Sequence, residues 1–260
     1  MKTGRLVPTL FLVFGALYFL LPLLATFLFS LKKIRDTWSF EAYRVVLADA
    51  NFQASFLFSI ATALATILVG ILLVVPTAYW VRLRLPGLRP AMEFMTLLPL
   101  VIPAIVIVFG YIRMYGSSSY LPFTGSTTGT NILLVCGYVV LALPYMYRAV
   151  DTGLGAIDIR TLTEAAESFG ASRRTIILKV ILPNVRAAVL SGAFLTFAIV
   201  IGEFTIASLL ARPAFGPYIA LVGSNRAYEA AALAMIAFAI TWGCMGFLQV
   251  FGGRSAGEKR

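Results

Sequence analysis

Polar and apolar residues do not alternate along this chain; they fall into long apolar blocks separated by short charged stretches. Runs free or nearly free of charge cover about 6–31, 53–80, 92–113, 131–149, 185–210 and 230–251. Each is long enough to cross a bilayer core of roughly 30 Å, which takes about 20 residues of α-helix. Backbone groups in hydrocarbon must be satisfied within the segment, and no run has the two-residue period of a barrel strand. The pattern therefore predicts an all-α integral membrane protein of six transmembrane helices, forming one domain over 1–260. Pro22, Pro76, Pro99, Pro103 and Pro144 fall in or near these runs, and the plain expectation for them is ordinary kinks.

Composition agrees with lipid as the main solvent. Hydrophobic residues make up 60% of the 260 and charged ones 12%, with a mean hydropathy of +0.92. Soluble domains carry about a quarter charged residues. The net charge of +10 comes from clusters in the connections rather than from one basic face, so it reads as membrane topology and not as a nucleic-acid surface. Lys2 and Arg5, then Arg82, Arg84 and Arg89, then the fourth connection, then Arg254, Lys259 and Arg260 place four basic segments on one side. By the positive-inside rule that side is the cytoplasm, with both termini there. The uncharged connection Gly116 to Thr130 and the fifth connection, with Arg212, Arg226 and Glu229, belong outside. The first connection fits least well, because Lys32, Lys33, Arg35 and Arg44 stand there against Asp36, Glu41 and Asp49. The run from Leu6 to Leu31 is about twice a signal-peptide core and is expected to remain as the first span. Cys136 and Cys244 sit inside apolar runs and there is no histidine, which argues against a disulfide, a zinc site or a haem site.

The fourth connection is long and amphipathic. Asp158 and Thr161 offer helix N-caps, and Thr161 with Glu164 has the spacing of a capping box. The helix predicted there runs to Phe169, and Gly170 supplies a stop because glycine accepts a left-handed backbone freely. Ser172 can cap a second helix through Ile176, Ile177 and Val180 to Pro183. Ala165 and Ala166 would leave the helix surface shallow enough for another protein to approach, with Glu164, Arg173 and Arg174 as charged partners at the rim. A helix lying on the inner leaflet would carry the same Arg173, Arg174 and Lys179, so residue chemistry alone leaves both readings open.

The spacing of this segment is more specific than its chemistry. Glu164-Ala165-Ala166, three residues, Gly170, nine residues, Val180, one residue, then Leu182-Pro183 resembles the EAA loop of binding-protein-dependent ABC importer permeases, with Val180 where the pattern has Ile. Six spans with this loop, about 156–183, between the fourth and fifth resemble the type I importer permeases over nearly the whole chain. The resemblance implies that the loop forms coupling helices seated on a cytoplasmic ATPase. Carried over, Glu164, Ala165, Ala166 and Gly170 are contact and hinge positions, and Leu182 and Pro183 lead into the fifth span. It further implies two copies of an ATP-binding subunit, which bind the ATP and Mg, a second permease that is a paralogue, an extracytoplasmic solute-binding protein, and a setting in the cell inner membrane. The chain itself would hold no cofactor or metal and catalyse nothing.

Glu203 is the one acidic residue deep inside an expected span. A carboxylate at membrane depth faces water, a partner or a ligand, so a place on the substrate pathway is the functional reading and a paired or protonated structural glutamate the plain one. The surrounding chain resembles the spermidine/putrescine permease subfamily, which favours a polyamine cargo; ferric iron, thiamine and aminoethylphosphonate are handled in the same subfamily. Tyr111, Tyr115, Tyr138 and Tyr145 could offer ring faces to a cation or simply form an interfacial belt. An intramembrane enzyme lacks its constellation here, since Glu203 stands without a histidine or second carboxylate. A channel or scaffold subunit has no reason to carry the EAA spacing.

Overall fold

The structure is a computed structural model, and it describes residues 6–34 and 37–253. Lys2, Arg5, Arg35, Asp36, Arg254, Lys259 and Arg260, which entered the topology argument, lie outside the described residues. The described chain is helical, with these elements in order: α1 Leu6–Ser30, α2 Glu41–Ala48, α3 Ala50–Arg84, α4 Arg89–Val101, α5 Ala104–Tyr115, α6 Thr127–Gly155 and α7 Ile159–Ser168. They continue as α8 Arg173–Thr175, a π-helical turn Ile176–Ile181, α9 Leu182–Asn184, α10 Arg186–Gly202, α11 Thr205–Leu209, α12 Phe215–Asn225 and α13 Ala227–Gly253. Four of them, α1, α3, α6 and α13, are long and apolar enough to cross a membrane, and the number rises to six if each of two bent helix pairs counts as one span.

The first of the two bends has a local cause. The expected straight span over 92–113 is instead α4 and α5, set 93° apart. Pro103 donates no amide to the helix before it and pushes Ile102 into extended backbone (φ −85°, ψ 114°), so α4 ends there and α5 starts afresh. Pro22, Pro76, Pro99 and Pro144 stay inside continuous helices. The expected span over 185–210 stops at Gly202, and an 80° bend separates Arg173–Asn184 from Arg186–Gly202.

The chain divides into two compact units. The first comprises Met1–Ala54 with Tyr218–Ile240. Within it Phe29 stacks on Tyr228 at 4.7 Å, the Tyr43 and Ser30 hydroxyls share a hydrogen bond at 2.8 Å, and Lys33 pairs with Glu229 at 3.1 Å. That ion pair joins the first connection to the fifth, so the two lie on one side, and it offsets a basic residue that made the first connection anomalous. The second unit comprises Ser55–Pro217 with Thr241–Arg260 and carries two apolar clusters. One packs Val74, Val75, Tyr79, Met146, Val150 and Leu154 against Ile159, Ile176, Ile181 and Val185, which ties the loop helices to α3 and α6. The other gathers Ala63, Val108, Leu134, Tyr138, Val200, Ile206 and Leu210. Ile159, Ile176 and Ile181 are buried in the first cluster, so α7 and the π-helical turn are anchored parts of the unit.

Candidate functional site: the α7–α8 loop and two buried carboxylates

Asp158 starts α7. Its carboxylate accepts from the Thr161 backbone N–H at 3.1 Å and from the Thr161 hydroxyl at 2.8 Å, and these bonds hold the Asp158 carboxyl below its usual range. The capping box expected of Thr161 and Glu164 is not formed, because Glu164 instead accepts from Arg160 Nε at 2.8 Å, one turn back. Ile159 and Thr163 face inward, and the Thr163 hydroxyl meets the Tyr79 hydroxyl at 3.1 Å. Opposite them Glu164 and Ala165 are exposed, whereas Ala166 is half-buried against the core. Of the two alanines, then, Ala165 belongs to the outer face.

Gly170 ends the helix at φ +74°. Its N–H donates to the Glu167 carbonyl at 2.9 Å and the Ala171 N–H reaches back to Ala166 at 3.1 Å, which is the Schellman pair that a left-handed residue permits. Ser172 caps α8 by accepting from the Thr175 N–H at 3.3 Å. The turn leaves Phe169 91% exposed at the apex. The sequence reading ran Phe169 into the helix pattern without marking it; an aromatic residue directly before a helix-ending glycine was the available signal. Arg173 lies over the Trp80 ring at 5.2 Å, Arg174 is exposed, Leu182 packs on the core and Pro183 opens α9 exposed.

Glu203 is buried, at 9% exposure, in the break between α10 and α11. Its carboxylate accepts from the Ile206 N–H at 2.9 and 3.1 Å and from the Ala207 N–H at 3.2 Å. Those are orphan donors of the first turn of α11, where a negative charge is favoured. Gly216 closes over the same break, since a Cβ there would stand 2.2 Å from the Glu203 carbonyl oxygen. Tyr138 is fully buried and close enough to Glu203 for the two side chains to interact, and Tyr111 packs edge-on to Tyr115 at 6.2 Å. The three residues read as a pathway set do gather at the second cluster, but Tyr138 is inside packed core.

Asp151, unmarked by the sequence reading, is the other buried carboxylate of the second unit, 7% exposed near the end of α6. Arg82 of α3 grips it through Nε and Nη2 at 2.5 and 2.8 Å, and Arg89 of α4 adds a bond at 3.0 Å. Arg89 also pairs with Glu93 at 3.0 Å. Gly155 gives the Arg82 guanidinium room, because a Cβ there would approach it to 2.9 Å. Among the described residues no group of His, Cys, Asp and Glu could hold a metal ion.

Residues 70–249 match the family described as binding-protein-dependent transport system inner membrane component. The chain belongs to that family. A Haloferax volcanii protein named "probable molybdenum ABC transporter permease protein" is 33% identical over 159 residues, 59% of this chain and 57% of its own length. A Thermococcus kodakarensis molybdate/tungstate transport system permease protein is 30% identical over 146 residues, 56% of this chain and 55% of its own. The chain thus spans little more than half the length of these two. A Haemophilus influenzae spermidine/putrescine transport system permease protein is 29% identical over 209 residues, 77% of this chain and 76% of its own. In three dimensions the chain shares its fold with a chain of a bacterial ABC transporter involved in the import of the acidic polysaccharide alginate, at a TM-score of 0.72 and 13% identity over 96% of this chain and 94% of that one.

Proposed function

We propose that this chain is the permease subunit of an ABC importer and that its cargo is a tetrahedral oxyanion of the molybdate or tungstate class. It supplies half of a translocation pathway in the inner membrane, with both termini cytoplasmic, beside a second permease, two ATPase subunits and an extracytoplasmic binding protein. ATP and Mg are handled by the ATPase. The observation that carries the permease role is the family match over 70–249, which takes in the whole coupling segment. The segment's geometry supports it: α7 is rooted in the core by Ile159 and Thr163, and Ala165 of α7, Phe169 at the turn and Arg174 of α8 are exposed, an aromatic anchor with a charged rim of the kind that dominates protein interfaces. Glu164, Arg173, Leu182 and Pro183 frame that face, with Gly170 setting the angle between the two short helices.

The oxyanion rests on the relatives named for molybdenum, molybdate and tungstate, and on the loss of the charge argument for a polyamine. A cation site at Glu203 needs a carboxylate free to face cargo; here it is committed to two backbone amides. The spermidine/putrescine relative, matched over more of this chain, makes a polyamine the second reading. The test is ATPase activity of the reconstituted complex with its binding protein, offered molybdate, tungstate, sulfate, spermidine, putrescine, thiamine, ferric iron and aminoethylphosphonate. Stimulation by molybdate or tungstate, abolished by Phe169→Ala, is expected. Stimulation by a polyamine alone overturns the oxyanion reading, and stimulation that survives Phe169→Ala removes the aromatic anchor.

A further inference from the structure

The coupling segment leaves unexplained a cavity of about 230 Å³ between α4 and α6. Arg89, Glu93 and Thr96 line it from α4, and Tyr147, Arg148 and Asp151 from α6. Both carboxylates of its wall already have partners: Asp151 takes Arg82 and Arg89, and Glu93 takes Arg89. Two donors have none. The Tyr147 hydroxyl is buried, on a residue only 2% exposed, and makes no hydrogen bond among the described residues. The Arg148 guanidinium forms no ion pair or hydrogen bond among the described residues, and it also borders a second hollow of about 480 Å³ between α6 and α10, beside Ala149, Gly153, Ala188 and Ser191.

Arg89 and Arg148 of the wall, with Arg82 bound to Asp151 from behind it, stand against the two carboxylates Glu93 and Asp151, which leaves one positive charge unmatched. A buried hydroxyl without a partner costs about 1–3 kcal/mol, so the site is completed by something that accepts hydrogen bonds. A water occupies roughly 30 Å³, so the cavity has room for a small polyoxyanion with several of its waters. Arginine suits a tetrahedral oxyanion because its planar fork offers two parallel N–H donors, and the tyrosine hydroxyl supplies a third donor from the side. Glu93 and Asp151 at the same wall oppose tight binding, which suits a station that cargo must leave.

We propose that Arg148 and Tyr147 hold a tetrahedral divalent oxyanion in this cavity as an inner station on the transport path. The identity of the cargo rests on the oxyanion reading above; the anion site itself rests on the wall just described. The same chemistry would take a free oxyanion or the phosphate of a lipid headgroup, and the test separates them.

Thr152 is exposed and lines both hollows, so a cysteine placed there reports on occupancy. In the full importer with Cys136→Ser and Cys244→Ser, the Thr152→Cys thiol is labelled by a sulfonate-bearing thiosulfonate reagent in detergent, with sodium molybdate, tungstate or sulfate as the probe. At twice its Kd an anion leaves one third of the sites free, so labelling slows about threefold. Arg148→Gln is expected to abolish that protection, Arg148→Lys to retain part of it, and Tyr147→Phe to raise the anion concentration required. Labelling indifferent to all three anions, or protection that survives Arg148→Gln, overturns the site. Protection by phosphatidylglycerol in nanodiscs with none from free anions in detergent makes it a lipid site and overturns the station. Arg148-dependent protection without any molybdate stimulation of the ATPase keeps the anion site and counts against the cargo reading alone.

Discussion

Glu203 and Asp151 are both carboxylates buried in the second unit, and they are satisfied in opposite ways. Glu203 finds its donors on its own strand of chain, three and four residues ahead, where α11 begins. Asp151 finds them on α3 and α4, 69 and 62 residues away in sequence. Removal of Glu203 frays a local cap. Removal of Asp151 leaves two arginines, drawn from separate helices, facing each other near the C-terminal end of α6. A deep position in an apolar run therefore does not rank a carboxylate by its structural weight; the distance from which its partners come does.

The largest effect is expected at Asp151. Asp151→Ala leaves Arg82 partly buried without its counter-charge, and breaking such a pair costs about 3–5 kcal/mol. Thermal unfolding of the purified permease should show a steep fall in Tm, and Arg82→Met combined with Asp151→Leu should recover part of it, because an apolar pair of similar volume avoids the desolvation penalty. Equal losses in the single and double variants would show that the ion pair is not what joins these helices.

A smaller loss is expected at Glu203. Glu203→Gln keeps one acceptor oxygen but gives up the charge at the start of α11, worth about 1–2 kcal/mol for charge-assisted bonds. The expected signature is a lower Tm with an unchanged KM for the cargo. A raised KM at unchanged Tm would return Glu203 to the pathway.

The smallest effect belongs to Asp158, an exposed carboxylate that caps α7. Its folded-state pKa is depressed by the Thr161 bonds, so its contribution is complete above the ordinary aspartate value and fades as pH falls through the lowered one. Amide exchange over 159–163, corrected for intrinsic rates, should lose protection in acid below about pH 4. Asp158→Asn, which caps without titrating, should remove that acid step while leaving the protection at neutral pH.

Much of the α7–α8 loop could be read along the chain because its partners are neighbours in sequence. The Asp158 and Ser172 caps and the left-handed Gly170 all depend on residues no more than five positions apart. The same locality misled at Thr161, where two caps competed for one helix start and Asp158, three residues earlier, took the free amide. Phe169 stands along the chain only as the last residue of the predicted helix; the turn at Gly170 leaves it exposed.

The sequence by itself determined that the chain is helical and lives in lipid, since the length and charge of each apolar run are summed over neighbours. It also marked the loop, whose spacing survives as helix, left-handed turn and helix. The sequence marked Pro103 in the third apolar run but not that the chain breaks there rather than kinks, and only the structure showed that Glu203 turns to backbone. Tertiary structure alone decided that Asp151 is the hub where α3 and α4 meet α6. Apolar periodicity shows which residues leave water, but a buried charge is settled by whichever counter-charge folding brings beside it, and that partner lies tens of residues away.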